Sequence, residues 1–325
     1  MPLVLSRAQV RELLDMPTTI DAVERALVEF STGRAHMPVR VTTHIAPHAG
    51  VALGMPAYLA DTDALATKIV TVYKNNPARG LPTIMAVVVL SDPTTGQVTA
   101  IMDGGYLTAV RTAAASAVGT KYLATPGPKT VGIVGVGAQG EAHVAAMRAV
   151  ADVKRVIVHS RSEERSRAFA DRESTSECPC TIAESTEQLC RDSDIVVLVT
   201  TAAEPIVRRA WFRPGVHINA VGSHSPGARE LDSDTVAESR LVVDSRAANL
   251  VECGDLLIPM QEGRIDRTHF EDEIGEVAAG LKRGRRSATE ITIFKSVGIA
   301  VEDVATANLV YRRAREQGIG TAVEI

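Results

Sequence analysis

The chain is poor in aromatic residues and carries no block of like charge. Phe, Trp and Tyr make up 3% of its 325 residues, so its cores must be built from aliphatic side chains and alanine. Its 35 Lys and Arg against 39 Asp and Glu leave a formal net charge of −4. No basic stripe is interleaved with aromatics, which excludes the usual footprint of nucleic-acid binding. No run of about 18 apolar residues occurs, and residues 1–7 lack the basic region and apolar segment of a secretory signal. A soluble, cytoplasmic protein without a membrane partner is expected. The four cysteines, Cys178, Cys180, Cys190 and Cys253, lack zinc-ligand spacing. No metal site is expected, and buried or incidental thiols are the simpler account.

What is present is apolar, 45% of the residues, over a length that suits two domains better than one. The most organised stretch is 131–147, V-G-I-V-G-V-G-A-Q-G-E-A-H-V-A-A-M. A strand-type run, 130–134, passes directly into Gly135, Val136, Gly137, Ala138, Gln139 and Gly140, and an alanine-rich helical pattern follows to about residue 150. Strand, tight glycine turn and helix form a dinucleotide cradle. The first glycine makes the turn, the second clears a Cβ from the path of a pyrophosphate, and the third lets helix and strand pack closely. The helix N-terminus then aims free N–H groups at the phosphates.

A second strand, 155–159, arrives at the spacing of a βαβ unit and ends in Ser160, Arg161 and Ser162, with Arg165 one turn on. NAD sites usually carry an acid there for the ribose 2′-hydroxyl, whereas a 2′-phosphate asks for cations. With Ser160, Arg161 and Arg165 in place of an acid, NADP(H) is expected over NAD(H), which stays possible, because a guanidinium fork suits a phosphate dianion. The competing reading has both arginines solvating a helix face beside Glu163 and Glu164.

Ser6 with Gln9 reads as a capping box for a helix to residue 14, and Thr18 with Asp21 as another for a helix to residue 30 that Gly33 stops. Strands are predicted at 40–44, 51–55, 66–73, 83–90 and 97–102, making an antiparallel sheet. Residues 106–123 form a helix so rich in small side chains that a close neighbour is implied, and Pro126-Gly127-Pro128 marks a domain boundary. Beyond it strands alternate with helices, and near-continuous apolar runs at 195–200, 216–221 and 241–243 indicate a parallel sheet covered on both faces. Residues 291–317 begin as a strand and become a long helix.

Open parallel sheets bind ligands at the carboxyl ends of their strands. Thr200 and Thr201 end one such strand, with hydroxyls that could reach a nicotinamide ribose. Val221 ends another and leads into Gly222, Ser223 and His224. His224 is either a proton donor near neutral pH or a loop histidine bonded to backbone. Earlier in the chain Arg40, Lys68 and Arg111 are candidate anion binders; Lys68 lies in an apolar strand and Arg111 in an alanine-rich helix, contexts where a cation snorkels to water or pairs with an anion. With no carboxylate partners nearby in sequence, the three point to a carboxylate-bearing substrate.

Together the chain resembles the ornithine cyclodeaminase and mu-crystallin family over nearly its full length. The residues that carry the likeness are Met55-Pro56-Ala57-Tyr58, Thr67-Lys68, Met102-Asp103-Gly104, Thr108 to Thr112, the glycine motif with Ala138-Gln139, Asn219-Ala220-Val221-Gly222, Arg229-Glu230-Leu231-Asp232 and Phe294-Lys295-Ser296-Val297-Gly298. The resemblance implies an α/β fold: a Rossmann-type doubly wound parallel sheet, 126–299, inserted in an α+β substrate-binding and dimerisation domain with an antiparallel sheet, 1–125, completed by 300–325. It places the substrate-carboxylate ligands on Arg40, Lys68 and Arg111, a cofactor neighbour on Thr83, and nicotinamide neighbours on Ser296 and Val297. It also implies a homodimer.

Family members include cyclodeaminases, ketimine reductases and alanine dehydrogenases. The carboxylates that serve ornithine cyclisation fall near Leu53 and on His224 here, so both are missing. The expected activity is therefore NAD(P)H-dependent reduction of a cyclic ketimine acid, Δ1-pyrroline-2-carboxylate or Δ1-piperideine-2-carboxylate, to L-proline or L-pipecolate. Lys68 or His224 would keep the imine nitrogen protonated. Ornithine cyclodeamination, reductive amination of an oxo acid and ligand binding without turnover are the alternatives.

Overall fold

The computed structural model describes residues 1–324. They fall into two compact units, one of Met1–Arg111 with the chain from Ile299 onward, the other of Thr112–Gly298.

The first unit opens with strand β1, Leu3–Leu5, and helix α1, Arg7–Leu13. The capping box is there: Ser6 Oγ accepts from the Gln9 N–H at 3.4 Å, and the Gln9 carboxamide accepts from the Ser6 N–H at 2.9 Å. Helix α2, Met16–Ser31, buries Ile20, Val23 and Leu27 as its periodicity predicts. Its cap corrects the sequence reading. Asp15, not Thr18, holds the N-terminus, its carboxylate accepting from the Thr18 N–H at 2.9 Å. Pro17 suits the first turn because it has no N–H to satisfy, and that places Thr18 inside the helix. Strands β2, Ala35–His36, β3, Val41–Ile45, β4, Gly50–Leu59, β5, Ala64–Tyr73, β6, Ile84–Ser91, and β7, Val98–Asp103, pair antiparallel in succession from β4 to β7, with β2 and β3 both on β4. One pairing departs from the expected antiparallel sheet, since β1 lies parallel to β7.

Helix α3, Gly104–Leu123, spans the division at Arg111/Thr112; the boundary expected at Pro126 lies beyond its end. Ala113, Ala114, Ala115, Ala117 and Val118 are wholly buried, and a Cβ on Gly119 would strike Phe294 at 2.6 Å, the close neighbour that the small residues imply. The second unit then alternates: β8, Lys129–Val134, α4, Ala138–Val150, β9, Val153–His159, α5, Glu163–Glu173, β10, Cys180–Ile182, α6, Thr186–Asp192, β11, Ile195–Leu198, β12, His217–Ala220. It continues with α7, Ser233–Ala237, β13, Arg240–Val243, α8, Arg246–Glu252, α9, Gly254–Gln261, α10, Ile274–Ala278, and β14, Thr292–Lys295. The strands are all parallel, in the order β10-β9-β8-β11-β12-β14-β13. The chain leaves β8 toward one side and returns at β11 on the other, which makes the β8/β11 edge the switch point where such sheets bind ligands. All four cysteines are buried and reduced, and no helix among the described residues is long and apolar enough to cross a membrane.

The chain returns to the first unit as α11, Ala300–Gln317, and β15, Thr321–Ala322, which pairs antiparallel with β1. Helix α11 packs on α2 and across β4, β5 and β6. Beneath it the register aligns Met55, Lys68, Val88, Met102 and Leu5 in one cross-strand row, every one of them buried. Lys68 is the one charged side chain in that row. On the opposite face the register aligns Val41, Gly54, Ile69 and Val87, with Val41 67% and Ile69 49% exposed, and Met85, two residues before Val87, is exposed as well. Among the described residues of the first unit no element covers that apolar face.

Candidate active site

The glycine turn behaves as its sequence demands. Gly135 has φ +112°, outside the range of side-chain-bearing residues, and a Cβ there would meet the Val199 carbonyl at 2.7 Å. A Cβ on Gly140 would lie 2.3 Å from the Gly135 carbonyl, so α4 seats directly on the turn. Gly137, the N-cap of α4, faces open space instead. Beside it the Gln139 carboxamide oxygen is buried without a hydrogen-bond partner. Room at the second glycine and the exposed first turn of α4 fit a bound pyrophosphate. Buried His143 braces this turn. Its ring bonds the Gln139 carbonyl at 2.7 Å and the Ser116 hydroxyl at 2.9 Å, and burial pulls it down to about 4, so it is neutral.

Because every strand of the second sheet runs the same way, their carboxyl ends share one edge. Gly135–Gly140 follow β8, Ser160, Arg161 and Arg165 follow β9, Thr200 and Thr201 follow β11, Val221 follows β12, and Ser296 and Val297 follow β14. The structure thus gathers these expected cofactor residues on a single edge. Arg161 and Arg165 are exposed, and Glu163 pairs with Arg167 at 2.7 Å. The Ser160 hydroxyl is engaged locally, with the Ser162 carbonyl at 3.0 Å and the Ser166 hydroxyl at 2.8 Å.

A buried polar network stiffens the same edge, and sequence reasoning assigned no role to its charged members Glu230, Asp244, Asp255 and Lys295. Glu230 accepts from the Thr200 N–H at 2.8 Å, the Thr200 hydroxyl at 2.7 Å and the Gly222 N–H at 2.8 Å, tying the ends of β11 and β12 together. The Thr200 hydroxyl, expected near a nicotinamide ribose, thus directs its proton at Glu230. Burial, then the Asp255 carboxylate, pushes Glu230 up to about 7. Asp255 accepts from the Glu230 and Leu231 N–H groups and pairs with Lys295 at 2.9 Å, while the Lys295 ammonium also donates to the Ser223 carbonyl at 2.7 Å. Asp244 accepts from the Ser296 hydroxyl at 2.9 Å and from the Val297 and Gly298 N–H groups at 2.8 Å. Ser296 and Val297 are therefore held in place, not loose. His224 is exposed, its ring bonded to the Gly222 carbonyl at 3.1 Å.

In the first unit the structure brings Lys68 and Arg111 together and gives them carboxylate partners, though none nearby in sequence. Those partners come from α11, more than 190 residues later than Arg111 in the chain. Lys68 Nζ lies 2.7 Å from Asp303 Oδ2, Arg111 Nε donates to Asp303 Oδ1 at 2.8 Å, and Arg111 Nη1 to Glu302 Oε2 at 2.5 Å. None of the four side chains is more than 4% exposed. Burial, with the Arg111 charge added, pulls Lys68 down to about 8 against the opposing pull of Asp303. For Arg111 burial also acts downward, but Asp303 and Glu302 outweigh it and hold the guanidinium above its ordinary range. Arg40, half-buried, precedes β3 by one residue, and continuing the β3–β4 register puts it beside Met55, at the end of the Lys68 row. Thr83 also lies in the first unit, its carbonyl accepting from the Tyr73 N–H at 2.8 Å.

A doubly wound parallel sheet with a glycine turn at its switch point defines a nicotinamide-dinucleotide enzyme of the Rossmann class. The sequence model of the ornithine cyclodeaminase/mu-crystallin family matches residues 1–318, and the chain belongs to that family. The Δ1-pyrroline-2-carboxylate reductase of Bacillus cereus is 40% identical over 325 residues, 99% of either chain. The solved structure of Thermococcus litoralis Δ1-pyrroline-2-carboxylate reductase, in complex with NADH and L-proline, is 44% identical and matches with a TM-score of 0.96, covering 99% of this chain and 100% of that one. An archaeal alanine dehydrogenase dimer with bound NAD matches with a TM-score of 0.95 at 33% identity, covering 100% and 99%.

Proposed function

We propose that the chain is a nicotinamide-dependent reductase of small cyclic ketimine acids, converting Δ1-pyrroline-2-carboxylate or Δ1-piperideine-2-carboxylate to L-proline or L-pipecolate. The observation that carries this reading is the buried pair Lys68 and Arg111, fixed by Asp303, in a chain with the pyrroline-carboxylate reductase relatives described above. Arg111 and Lys68, with Arg40 at the end of the row, bind the substrate carboxylate. The nicotinamide, when bound, supplies a hydride to the imine carbon. Lys68 holds a proton at the imine nitrogen, because an iminium accepts hydride far more readily than a neutral imine. His224 is a second candidate for that proton.

Two residues favour reduction over cyclodeamination. Leu53, in β4, and His224 stand where the family's cyclodeaminases carry acids, so a diamino acid's second ammonium has no anchor there. The test is nicotinamide oxidation by the purified protein on both cyclic ketimines, on pyruvate with ammonia, and on ornithine with ammonia detection. Turnover on a ketimine supports the reading, and ammonia release from ornithine alone overturns it.

The protonated form of Lys68 is the active one. Reduction should be level below about 8, the value to which burial brings Lys68, and fall as pH rises through it. The limiting fall is about tenfold per pH unit. A kcat/KM profile still level at pH 9.5 would contradict it.

For the cofactor, Ser160, Arg161 and Arg165 favour NADP(H), with NAD(H) as the alternative. Arg161→Ala is expected to cut the NADPH-to-NADH ratio of kcat/KM by about tenfold, the loss of one charge-assisted phosphate contact. An unchanged ratio would remove Arg161 from the argument.

The exposed apolar face around Val41 and Ile69 is covered by the same face of a second chain, as a homodimer. Light scattering should give twice the 34.5 kDa chain mass, and Ile69→Glu should shift it toward the monomer; a monomeric wild type would refute the assignment.

A further inference from the structure

We propose that Asp303, at the start of the final helix, is the positioning residue of the substrate-carboxylate site, holding Lys68 and Arg111 in one fixed arrangement. This rests on the reductase reading above. The arrangement is costly. Two cations buried side by side repel each other and have lost their water, so neither stays charged in place without a shared anion. Asp303 supplies it with both oxygens, Oδ2 to Lys68 at 2.7 Å and Oδ1 to Arg111 at 2.8 Å. The helix therefore fixes the separation of the two cations as well as their charge.

The remaining donors then matter. An ammonium has three N–H groups and a guanidinium five. Asp303 pairs with the Lys68 ammonium and takes the Nε–H from Arg111, and Glu302 takes one on Nη1. Among the described residues no partner occupies Arg111 Nη2. Asp303 thus leaves donors from both cations for a planar carboxylate while it holds the groups that carry them. The charged groups facing Lys68 are Arg111 from α3 and Asp303 and Glu302 from α11, and its strand neighbours Met55 and Val88 are uncharged. Removing the Asp303 charge leaves Arg111 as the nearer influence and makes Lys68 easier to deprotonate.

The experiment compares wild type, Asp303→Asn and Glu302→Gln for the pH profile of ketimine reduction, KM for the imine and NADPH affinity. If wild type reduces neither ketimine, the reductase reading fails and the inference falls with it. If wild type is active, Asp303→Asn should raise KM at least about tenfold and move the basic limb down by about one pH unit, one unit being the scale of a single close charge. NADPH affinity should be unchanged. Glu302→Gln, which loses a bond to Arg111 and none to Lys68, should raise KM and leave the limb within a few tenths of a unit. A wild-type limb and KM in Asp303→Asn, or an equal limb shift in Glu302→Gln, would overturn the proposal. Should Asp303→Asn not fold, Lys68→Met/Asp303→Asn, which removes one charge of each sign, is expected to restore folding and NADPH binding. Failure of that pair to fold would show that Asp303 serves packing and not the cations.

Discussion

Lys68→Met is expected to lower imine reduction about a thousandfold, with NADPH still bound. The side chain lies in a row of Met55, Val88, Met102 and Leu5, where methionine fits the volume and the apolar surroundings. Asp303 keeps Arg111 as partner at 2.8 Å, so no buried carboxylate is stranded and the fold should survive. What disappears is the proton held for the imine nitrogen and one contact to the substrate carboxylate. Single-turnover hydride transfer at saturating NADPH, beside a nucleotide titration, separates chemistry from binding. Unchanged turnover would take Lys68 out of the mechanism and pass its role to His224.

The second large effect is on stability. Asp244 is fully buried and accepts from five donors: the Ser245 N–H and Asn249 amide on one oxygen, and Ser296, Val297 and Gly298 on the other. Asp244→Ala leaves them without an acceptor and opens a polar void. Each stranded donor costs about 1 kcal/mol or more, and relaxation recovers part of the total, so a loss of about 3–5 kcal/mol is expected. For a unit of this size that is a fall in Tm of about 10 °C. Nucleotide affinity should weaken as well, because the Ser296–Gly298 segment loses its anchor. Thermal melts with and without NADPH measure both, and a Tm within about 2 °C of wild type would show that water or a shifted backbone replaces the carboxylate.

The fold was legible where local rules decide it. The glycine turn announced itself because Gly135 needs a positive φ and Gly140 tolerates no Cβ, and no other residue satisfies both. The alanine-rich α3 declared a close neighbour, although nothing local identified it as Phe294. Helices α7, α8 and α10, of 5 to 7 residues, went unread because so short a segment shows less than two turns of periodicity. Strand β1 was missed for a similar reason, and its parallel partner β7 lies about ninety residues away in the chain.

The candidate site divides the same way. Lys68 and Arg111 stood out as cations in apolar runs, but their partners Glu302 and Asp303 belong to a helix at the far end of the chain, where two acids in a first turn look like ordinary dipole complements. Glu230, Asp255 and Lys295 were similarly disguised. Read singly each is a surface residue type, and only the sheet brings them within bonding distance. The one available signal was Lys295 itself, a charge directly after Thr-Ile-Phe in a strand buried on both faces, which must find a buried anion.

The central claim is that this chain reduces a cyclic ketimine acid, and product analysis tests it most directly. Purified protein is given Δ1-pyrroline-2-carboxylate with NADPH, and separately with NADH, and L-proline is quantified against nicotinamide oxidised. The account predicts one L-proline per nicotinamide, faster with NADPH. No L-proline from the imine, together with L-proline and ammonia from ornithine and no net nicotinamide consumed, would contradict it and make the chain a cyclodeaminase despite Leu53 and His224.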